Sequence, residues 1–190
     1  MATTTNFKCR CSINYTFLCD YNILGMRIFL IGYMGSGKSM VGKGLAKKLN
    51  LSFIDMDDYI EERNFRSIPQ IFAEDGEEGF RKLEQKALAE LANFEDVVIA
   101  TGGGAPCFFN NMEVIKNSGR SVYLKGSPRI IAERLKQSKV ERPLIKGKND
   151  EQLVNFIDET LSKRENWYKQ ADVIIEFDHD ISIDEVINRI

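Results

Sequence analysis

Histidine and cysteine, on which most zinc sites and disulfide frameworks depend, are scarce in this chain. The only histidine is His179, and three of the four cysteines lie within the first nineteen residues. Cys9 and Cys11 have no second Cys or His pair at the spacing of a zinc site, and the cysteine spacing indicates no disulfide framework. We therefore expect reduced thiols, as in a cytoplasmic protein.

An excess of charge and a long apolar run are also missing. The 26 basic residues nearly balance the 28 acidic ones, giving a formal net charge of −2. This balance argues against a surface for nucleic acid or anionic membrane. No apolar run approaches the about 20 residues that span a bilayer. We expect one soluble domain, monomeric by default, whose partners are small-molecule substrates.

Among the segments that are present, Gly32–Ser39 is the most informative, because it fits the phosphate-loop pattern G-x-x-x-x-G-K-[ST]. Glycines let such a loop aim its backbone N–H groups at phosphate oxygens. Lys38 adds a cation for the β- and γ-phosphates, and the Ser39 hydroxyl can ligate Mg²⁺. The pattern predicts binding of a nucleoside triphosphate with Mg²⁺, although a glycine-rich turn without a ligand is the alternative. The predicted nucleotide contacts are Gly35, Ser36, Gly37, Lys38, Ser39 and Met40.

Five short apolar segments alternate with helical patterns after residue 25. The segments are Arg27–Ile31, Leu51–Ile54, Val97–Ala100, Ser121–Leu124 and Asp172–Ile175. Ser67 to Gln70 has the spacing of a capping box that starts a helix, and Phe80–Leu91 is amphipathic. This alternation predicts an α/β fold of three layers, α/β/α, with a central five-stranded parallel sheet. Ligands of such sheets bind at the carboxyl ends of the strands.

Residues 1–25 differ in composition from the domain predicted for 26–190. They contain Thr3-Thr4-Thr5 and no acidic residue before Asp20. We expect a non-catalytic, poorly ordered extension. A targeting segment, for a plastid or elsewhere, is one explanation, since such segments are hydroxyl-rich and poor in acids. Translation that starts at Met26 is another.

Carboxylates and glycines follow two of the predicted strands. Asp55, Asp57 and Asp58 come directly after the second strand, where one could serve Mg²⁺ through water and another could accept a proton from a substrate hydroxyl. The alternative is that Asp57 or Asp58 caps a helix over Tyr59–Arg63. The third strand ends in Thr101-Gly102-Gly103-Gly104 without an acid, which assigns the metal role to Ser39 and the Asp55 region. The three glycines suit a close approach of backbone to ligand, with a flexible turn as the alternative.

Three arginines complete the candidate set: Arg81, Arg142 and Arg164. Arg142 lies in a polar segment, 138–150, that we interpret as a mobile lid over the phosphates, which would exclude water from the reaction. The chain has neither the Asn-Lys-x-Asp nor the Asp-x-x-Gly element of GTPases. A metabolite kinase is therefore favoured over a GTPase.

Together these motifs resemble the shikimate kinase family, of the nucleoside-monophosphate-kinase-like group with the P-loop kinase fold and a mobile lid. Six motifs occur in the order of the family across 26–190. They are Gly32–Ser39, Phe53–Asp57, Gly79-Phe80-Arg81-x-x-Glu84, Gly102-Gly103-Gly104, Arg142-Pro143-Leu144, and Arg164 followed by Tyr168. The resemblance implies transfer of the ATP γ-phosphate to the shikimate 3-hydroxyl, in chorismate and aromatic amino-acid biosynthesis.

The resemblance also implies a role for each residue. Lys38, Asp57 and Arg142 would be catalytic, with Arg142 also on the nucleotide. Shikimate would contact Asp57, Arg81, the glycine triplet Gly102, Gly103 and Gly104, and Arg164, while Ser39 and Asp55 would hold Mg²⁺. Arg134 is the nearest candidate for an arginine that stacks on adenine, and Asp178–Asp180 is the candidate for the adenine-contacting turn. A gluconate kinase-like enzyme and a non-catalytic nucleotide-binding module are the alternatives.

Overall fold

The computed structural model of the protein describes residues 25–138 and 147–190. Five strands of this part form one parallel sheet in the order β2-β3-β1-β4-β5. The strands are β1 Arg27–Ile31, β2 Ser52–Asp55, β3 Val97–Ala100, β4 Arg120–Gly126 and β5 Val173–Phe177. Every apolar segment predicted as a strand overlaps one of them. The predicted five-stranded parallel sheet is therefore confirmed.

Helices cover both faces of the sheet, as predicted for a three-layer fold. They are α1 Lys38–Leu49, α2 Met56–Asn64, α3 Ile68–Leu91, α4 Asn111–Ser118, α5 Pro128–Gln137, α6 Asp150–Tyr168 and α7 Ile183–Ile187. The residues of β1 alternate between the two faces, as the strand period requires. Phe29 and Ile31 pack in the core beside α3, and Ile28 and Leu30 pack in the core beside α1.

Two helix starts near the second strand are set by local side chains. Asp55 ends β2 and caps α2, because its Oδ1 accepts a hydrogen bond from the Asp57 N–H at 3.1 Å. The alternative that Asp57 or Asp58 caps this helix is thus wrong. The capping box at α3 is confirmed, since Ser67 and Gln70 bond reciprocally. A non-helical glycine, Gly76 with φ 68°, kinks α3 ahead of the predicted helix Phe80–Leu91.

Several sequence-based expectations lie partly or wholly outside the described residues. They are the extension 1–25, of which only Gly25 is described, and most of the lid segment 138–150 with Arg142. The ends of that segment are ordinary helix boundaries: Ser138 follows α5, and Asn149 caps α6 by accepting a hydrogen bond from the Gln152 N–H. Cys107 is a free thiol, as expected. No helix within the described ranges is long and apolar enough to cross a membrane.

Candidate active site

The phosphate loop joins β1 to α1 at the carboxyl edge of the sheet. Gly35 and Gly37 adopt left-handed φ values of 80° and 95°, which L side chains rarely adopt, so the turn depends on glycine there. The loop leads into the N-terminus of α1, whose first turn holds no acidic residue. The N–H groups at a helix N-terminus and the positive end of the helix dipole favour an anion at such a point.

Lys38 lies over the loop and is almost fully buried, with 8% of its surface exposed. Its ammonium group donates hydrogen bonds to the Gly32 carbonyl at 2.9 Å and to the Tyr33 carbonyl at 3.0 Å. These bonds satisfy part of a buried positive charge. They also keep the ammonium group at the loop, within reach of any phosphate that the loop binds.

Ser39 and Asp55, the two predicted metal ligands, lie together. The Ser39 hydroxyl donates to Asp55 Oδ2 at 2.6 Å, while Asp55 Oδ1 caps α2. Oxygen donors of this kind suit Mg²⁺, which usually keeps several waters and takes its remaining ligands from phosphates. Within residues 25–138 and 147–190 there is no cluster of three or more His, Cys, Asp or Glu that could hold a metal by itself. The pair therefore fits a Mg²⁺ ion carried with a nucleotide.

One cavity connects these groups to Asp57 and to Gly103 of the glycine triplet. Its volume is about 280 Å³, and its lining runs from the phosphate loop across β2 and β3 to the end of α5. Asp57, Thr101 and Gly103 line it near the carboxyl ends of β2 and β3. Met40 also lines it but is 55% exposed, so it lies at the rim. The lining includes Met34, Gly35, Gly37, Lys38, Ser39, Asp55, Arg134, Leu135 and Ser138.

Arg81, on the second half of α3, is held by two acidic side chains. Its Nη1 donates to Glu84, and its Nη2 donates to Glu77 at 3.1 Å. The Arg81 side chain is 12% exposed, Glu84 is 2% exposed and Glu77 is 63% exposed. Arg81 therefore pairs with one fully buried carboxylate and with one that faces water.

Glu84 has a strongly perturbed proton affinity. Burial raises its pKa from 4.5 to about 7, opposed by the neighbouring Arg81 guanidinium and increased further by the negative charge of Asp57. Perturbed carboxyl groups of this kind cluster at functional sites. Sequence reasoning assigned Glu84 no role of its own, although it occupies the last position of the Gly79–Glu84 motif.

The glycine triplet after β3 is packed too closely to carry side chains. A Cβ on Gly102 would lie 2.5 Å from Glu84 Oε1 and 3.0 Å from Asp57 Oδ1. A Cβ on Gly104 would lie 2.7 Å from Arg81 Nη1. All three distances are shorter than ordinary contacts. The triplet thus allows close approach of polar groups, which favours that interpretation over a loose turn.

Arg164, on α6, also reaches the triplet. Its Nη1 donates to the Gly103 carbonyl at 3.4 Å, and its guanidinium carbon lies 5.7 Å from the centroid of the Tyr33 ring. The Tyr168 hydroxyl donates to the same carbonyl. Burial raises the Tyr168 pKa, so this hydroxyl stays protonated and remains a donor.

Arg134 fills the space between the phosphate loop and the loop after β5. It donates to the Ser36 carbonyl at 3.2 Å and to the His179 carbonyl at 2.9 Å, and its guanidinium carbon lies 4.6 Å from the centroid of the Phe177 ring. The two segments considered for adenine, Arg134 and Asp178–Asp180, are therefore neighbours. Their positions along the chain do not indicate this.

The structure thus brings the predicted residues into two adjoining groups. The phosphate loop, Ser39 and Asp55 form the first, and Asp57 with the glycine triplet joins it to the second, which holds Arg81 and Arg164. Arg142 is outside the described residues. Glu84 and Glu77 were not predicted, and only Glu84 had a sequence signal.

Known proteins resemble this chain over most of its length. A family model described as shikimate kinase matches residues 34–190. A shikimate kinase of Parabacteroides distasonis is 52% identical over 164 residues, covering 82% of this chain and 95% of that protein. The crystal structure of a Bacteroides thetaiotaomicron shikimate kinase has a TM-score of 0.80 at 46% identity, covering 86% of this chain and 95% of that one.

Two further solved structures separate the family from the general fold. An Acinetobacter baumannii shikimate kinase in complex with shikimate has a TM-score of 0.76 at 36% identity, covering 86% of this chain and 89% of that one. A gluconokinase from Sinorhizobium meliloti has a TM-score of 0.56 at 21% identity, covering 87% of this chain and 89% of that one. This likeness shows a shared fold only. The family model and the relatives agree, and this chain belongs to the shikimate kinase family.

Proposed function

We propose that this chain transfers the γ-phosphate of ATP to the 3-hydroxyl of shikimate, giving shikimate 3-phosphate and ADP. The observation that carries the proposal is the arrangement around the glycine triplet. Asp57, a carboxylate that can orient a hydroxyl, adjoins Gly102, while Arg81 adjoins Gly104 and Arg164 donates to Gly103. A ring acid that carries a hydroxyl matches this arrangement, because its hydroxyl can bond to Asp57 and its carboxylate to the two arginines. The relative from Acinetobacter baumannii, solved with shikimate, supports the same acceptor.

The phosphate loop would bind the ATP phosphates. Lys38 would exchange its bonds to the Gly32 and Tyr33 carbonyls for the β- and γ-phosphate oxygens, a movement of its terminal atoms only. Gly35, Ser36, Gly37, Ser39 and Met40 would contribute the remaining contacts. Arg134 beside Asp178–Asp180 would form the adenine end. Arg142 would neutralise the transferred phosphate, and the lid segment 138–150 would exclude water.

Mg²⁺ would be held by Ser39 directly and by Asp55 through a water molecule. When bound with ATP, this ion neutralises phosphate charge that develops during transfer. The Ser39 hydroxyl would turn from Asp55 Oδ2 toward the ion, since a hydroxyl can rotate to suit its partner. Asp55 would keep its second oxygen on the α2 N-terminus, which fixes the carboxylate in place.

At the acceptor end, Asp57 would hold the 3-hydroxyl of shikimate and accept its proton as the new O–P bond forms and the bond to the β-phosphate bridge breaks. Arg81 and Arg164 would bind the substrate carboxylate, for which the planar guanidinium is well suited. Phosphoryl transfer depends mainly on such positioning and on charge neutralisation. No covalent intermediate with the protein is needed.

The decisive experiment is an assay of ADP release with ATP and Mg²⁺, run in parallel with shikimate and with gluconate. Turnover with shikimate alone supports the proposal, and turnover with gluconate alone would assign the chain to the other kinase class. Calorimetry covers the remaining alternative. Binding of ATP with neither shikimate binding nor turnover would indicate a non-catalytic nucleotide-binding module. We also propose a monomer in the cytoplasm, for which light scattering and cell fractionation are the tests.

A further inference from the structure

Two uncharged groups lie directly against the Arg81 guanidinium. The centroid of the Phe108 ring lies 4.2 Å from Arg81 Cζ, close enough for the ring to cover a face of the cation. The Gly104 backbone is the second, since a Cβ there would lie 2.7 Å from Nη1, 3.0 Å from Nη2 and 3.1 Å from Cζ. Phe80 lies farther away, with its centroid 5.3 Å from Cζ. Of these two rings, Phe108 therefore makes the closer contact with the cation.

Hydrogen bonds leave part of the guanidinium unsatisfied. Arg81 Nε is buried and has no hydrogen-bond partner within residues 25–138 and 147–190. The Nη1 bond goes to buried Glu84, and the Nη2 bond goes to exposed Glu77. An ion pair with an exposed acidic partner is weakened by water, so Glu77 holds Arg81 weakly. Hydrogen bonds alone thus do not fix the plane of the guanidinium.

We propose that Phe108 is a positioning residue that fixes the plane of the Arg81 guanidinium for the carboxylate of shikimate. The inference rests on the proposed function and deepens it. An aromatic face attracts a cation and excludes water from it. Arg81 is then ordered before the substrate arrives, so less side-chain freedom is lost on binding. The substrate carboxylate takes the place of Glu77, whose exposure lets it move away.

The test compares Phe108→Leu with wild type. Leucine keeps an apolar side chain but lacks the aromatic face. Losing the ordering of one side chain should raise the KM for shikimate about three- to tenfold and leave the KM for ATP unchanged. Phe108→Tyr keeps the face and should behave as wild type. Phe109→Leu is the matched control, because Phe109 is the adjacent phenylalanine and is 54% exposed.

A neutral substrate analogue separates positioning from a general structural effect. The methyl ester of shikimate lacks the anionic carboxylate, so Phe108→Leu should leave the inhibition constant of the ester unchanged. If Phe108→Leu raised the inhibition constant of the ester as much as the KM for shikimate, the inference would be overturned. An unchanged KM for shikimate in Phe108→Leu would also overturn it. A rise of the same size in Phe109→Leu would also overturn it.

If Phe108→Leu does not fold, fluorinated phenylalanines at position 108 decide the question. Successive fluorination weakens the negative face of the ring with little change in size, so the KM for shikimate should rise in steps with the number of fluorines. A flat series overturns the inference. A wild-type enzyme without shikimate turnover overturns the proposed function as well, whereas normal wild-type turnover with unaffected variants overturns the positioning role alone.

Discussion

Glu84 should make the stability of the folded protein fall between mildly acidic and neutral pH. Its side chain is 2% exposed, and burial raises its pKa from 4.5 to about 7 despite the opposing charge of Arg81. A pKa displaced from 4.5 to about 7 in the folded state corresponds to about 3 kcal/mol. This is a large part of the about 5–15 kcal/mol that typically separates folded from unfolded chains.

The direction follows from which state binds the proton more tightly. Because the folded-state pKa is the higher one, the folded protein holds more protons between pH 4.5 and about 7. The contribution is therefore fully present below pH 4.5 and is lost as the pH rises through about 7. Glu84→Gln cannot titrate. As the pH rises from 4.5 through about 7, the wild type should therefore lose about 3 kcal/mol of unfolding free energy that the Glu84→Gln variant does not lose.

Urea unfolding of both proteins across this pH range measures the difference. Glu77→Gln is the matched control, since Glu77 is on the same helix and bonds to the same arginine but is 63% exposed. The Glu84→Gln difference from wild type should change with pH, and the Glu77→Gln comparison shows how much of that change comes merely from removing a carboxylate bonded to Arg81. The amide introduced by Glu84→Gln cannot reproduce the ion pair with Arg81, so the two proteins will differ in stability at every pH. The test is therefore how the difference in unfolding free energy changes with pH, and not its absolute value. Parallel curves for wild type and Glu84→Gln would refute the reasoning.

Four further outcomes are expected. Arg81→Ala should raise the KM for shikimate steeply, since removing one partner of a desolvated charge pair costs about 2–5 kcal/mol; an unchanged KM in steady-state kinetics would remove Arg81 from the site. Lys38→Ala should abolish turnover with an unchanged circular dichroism spectrum, and wild-type activity would contradict its phosphate role. Shikimate binding near pH 7 should take up protons at Glu84, because an added anion raises its pKa further, and calorimetry in buffers of different ionisation enthalpy should detect this. Deleting residues 1–25 should leave kcat and Tm unchanged; a loss of either would give the extension a structural role.

The phosphate loop and the strands could be predicted because their signals are local. The loop is a contiguous pattern of required residue types, and β1 has the predicted bounds, Arg27–Ile31. The residue that caps α2 was harder to predict, since three carboxylates lie close together there. Asp55 has the extended backbone of a cap, with φ −91° and ψ 124°, whereas Asp57 already lies inside the helix. Only the path of the chain after β2 distinguishes them.

Contacts between distant segments could not be predicted from spacing. Phe108 lies after the short turn that follows the glycine triplet, and Arg81 is on α3, yet the ring and the cation are in contact. Arg134 likewise meets His179 only because α5 and the loop after β5 converge at the phosphate loop. The pKa of Glu84 depends on burial, which no sequence pattern measures. Arg142 stays a prediction.

The sheet order explains why three glycines stand after β3. Because β3 lies between β2 and β1, its carboxyl end must pass between the Asp55–Asp57 turn and the phosphate loop. A Cβ on Gly103 would lie 3.0 Å from the Met34 backbone N of that loop, and Gly102 and Gly104 face Asp57 and Arg81. None of the three has a positive φ, so space and not backbone freedom requires glycine. A side chain at any of these positions would have to displace the phosphate loop, Glu84 or Arg81, and an error of about 1 Å in the placement of reacting groups can slow a reaction about a hundredfold.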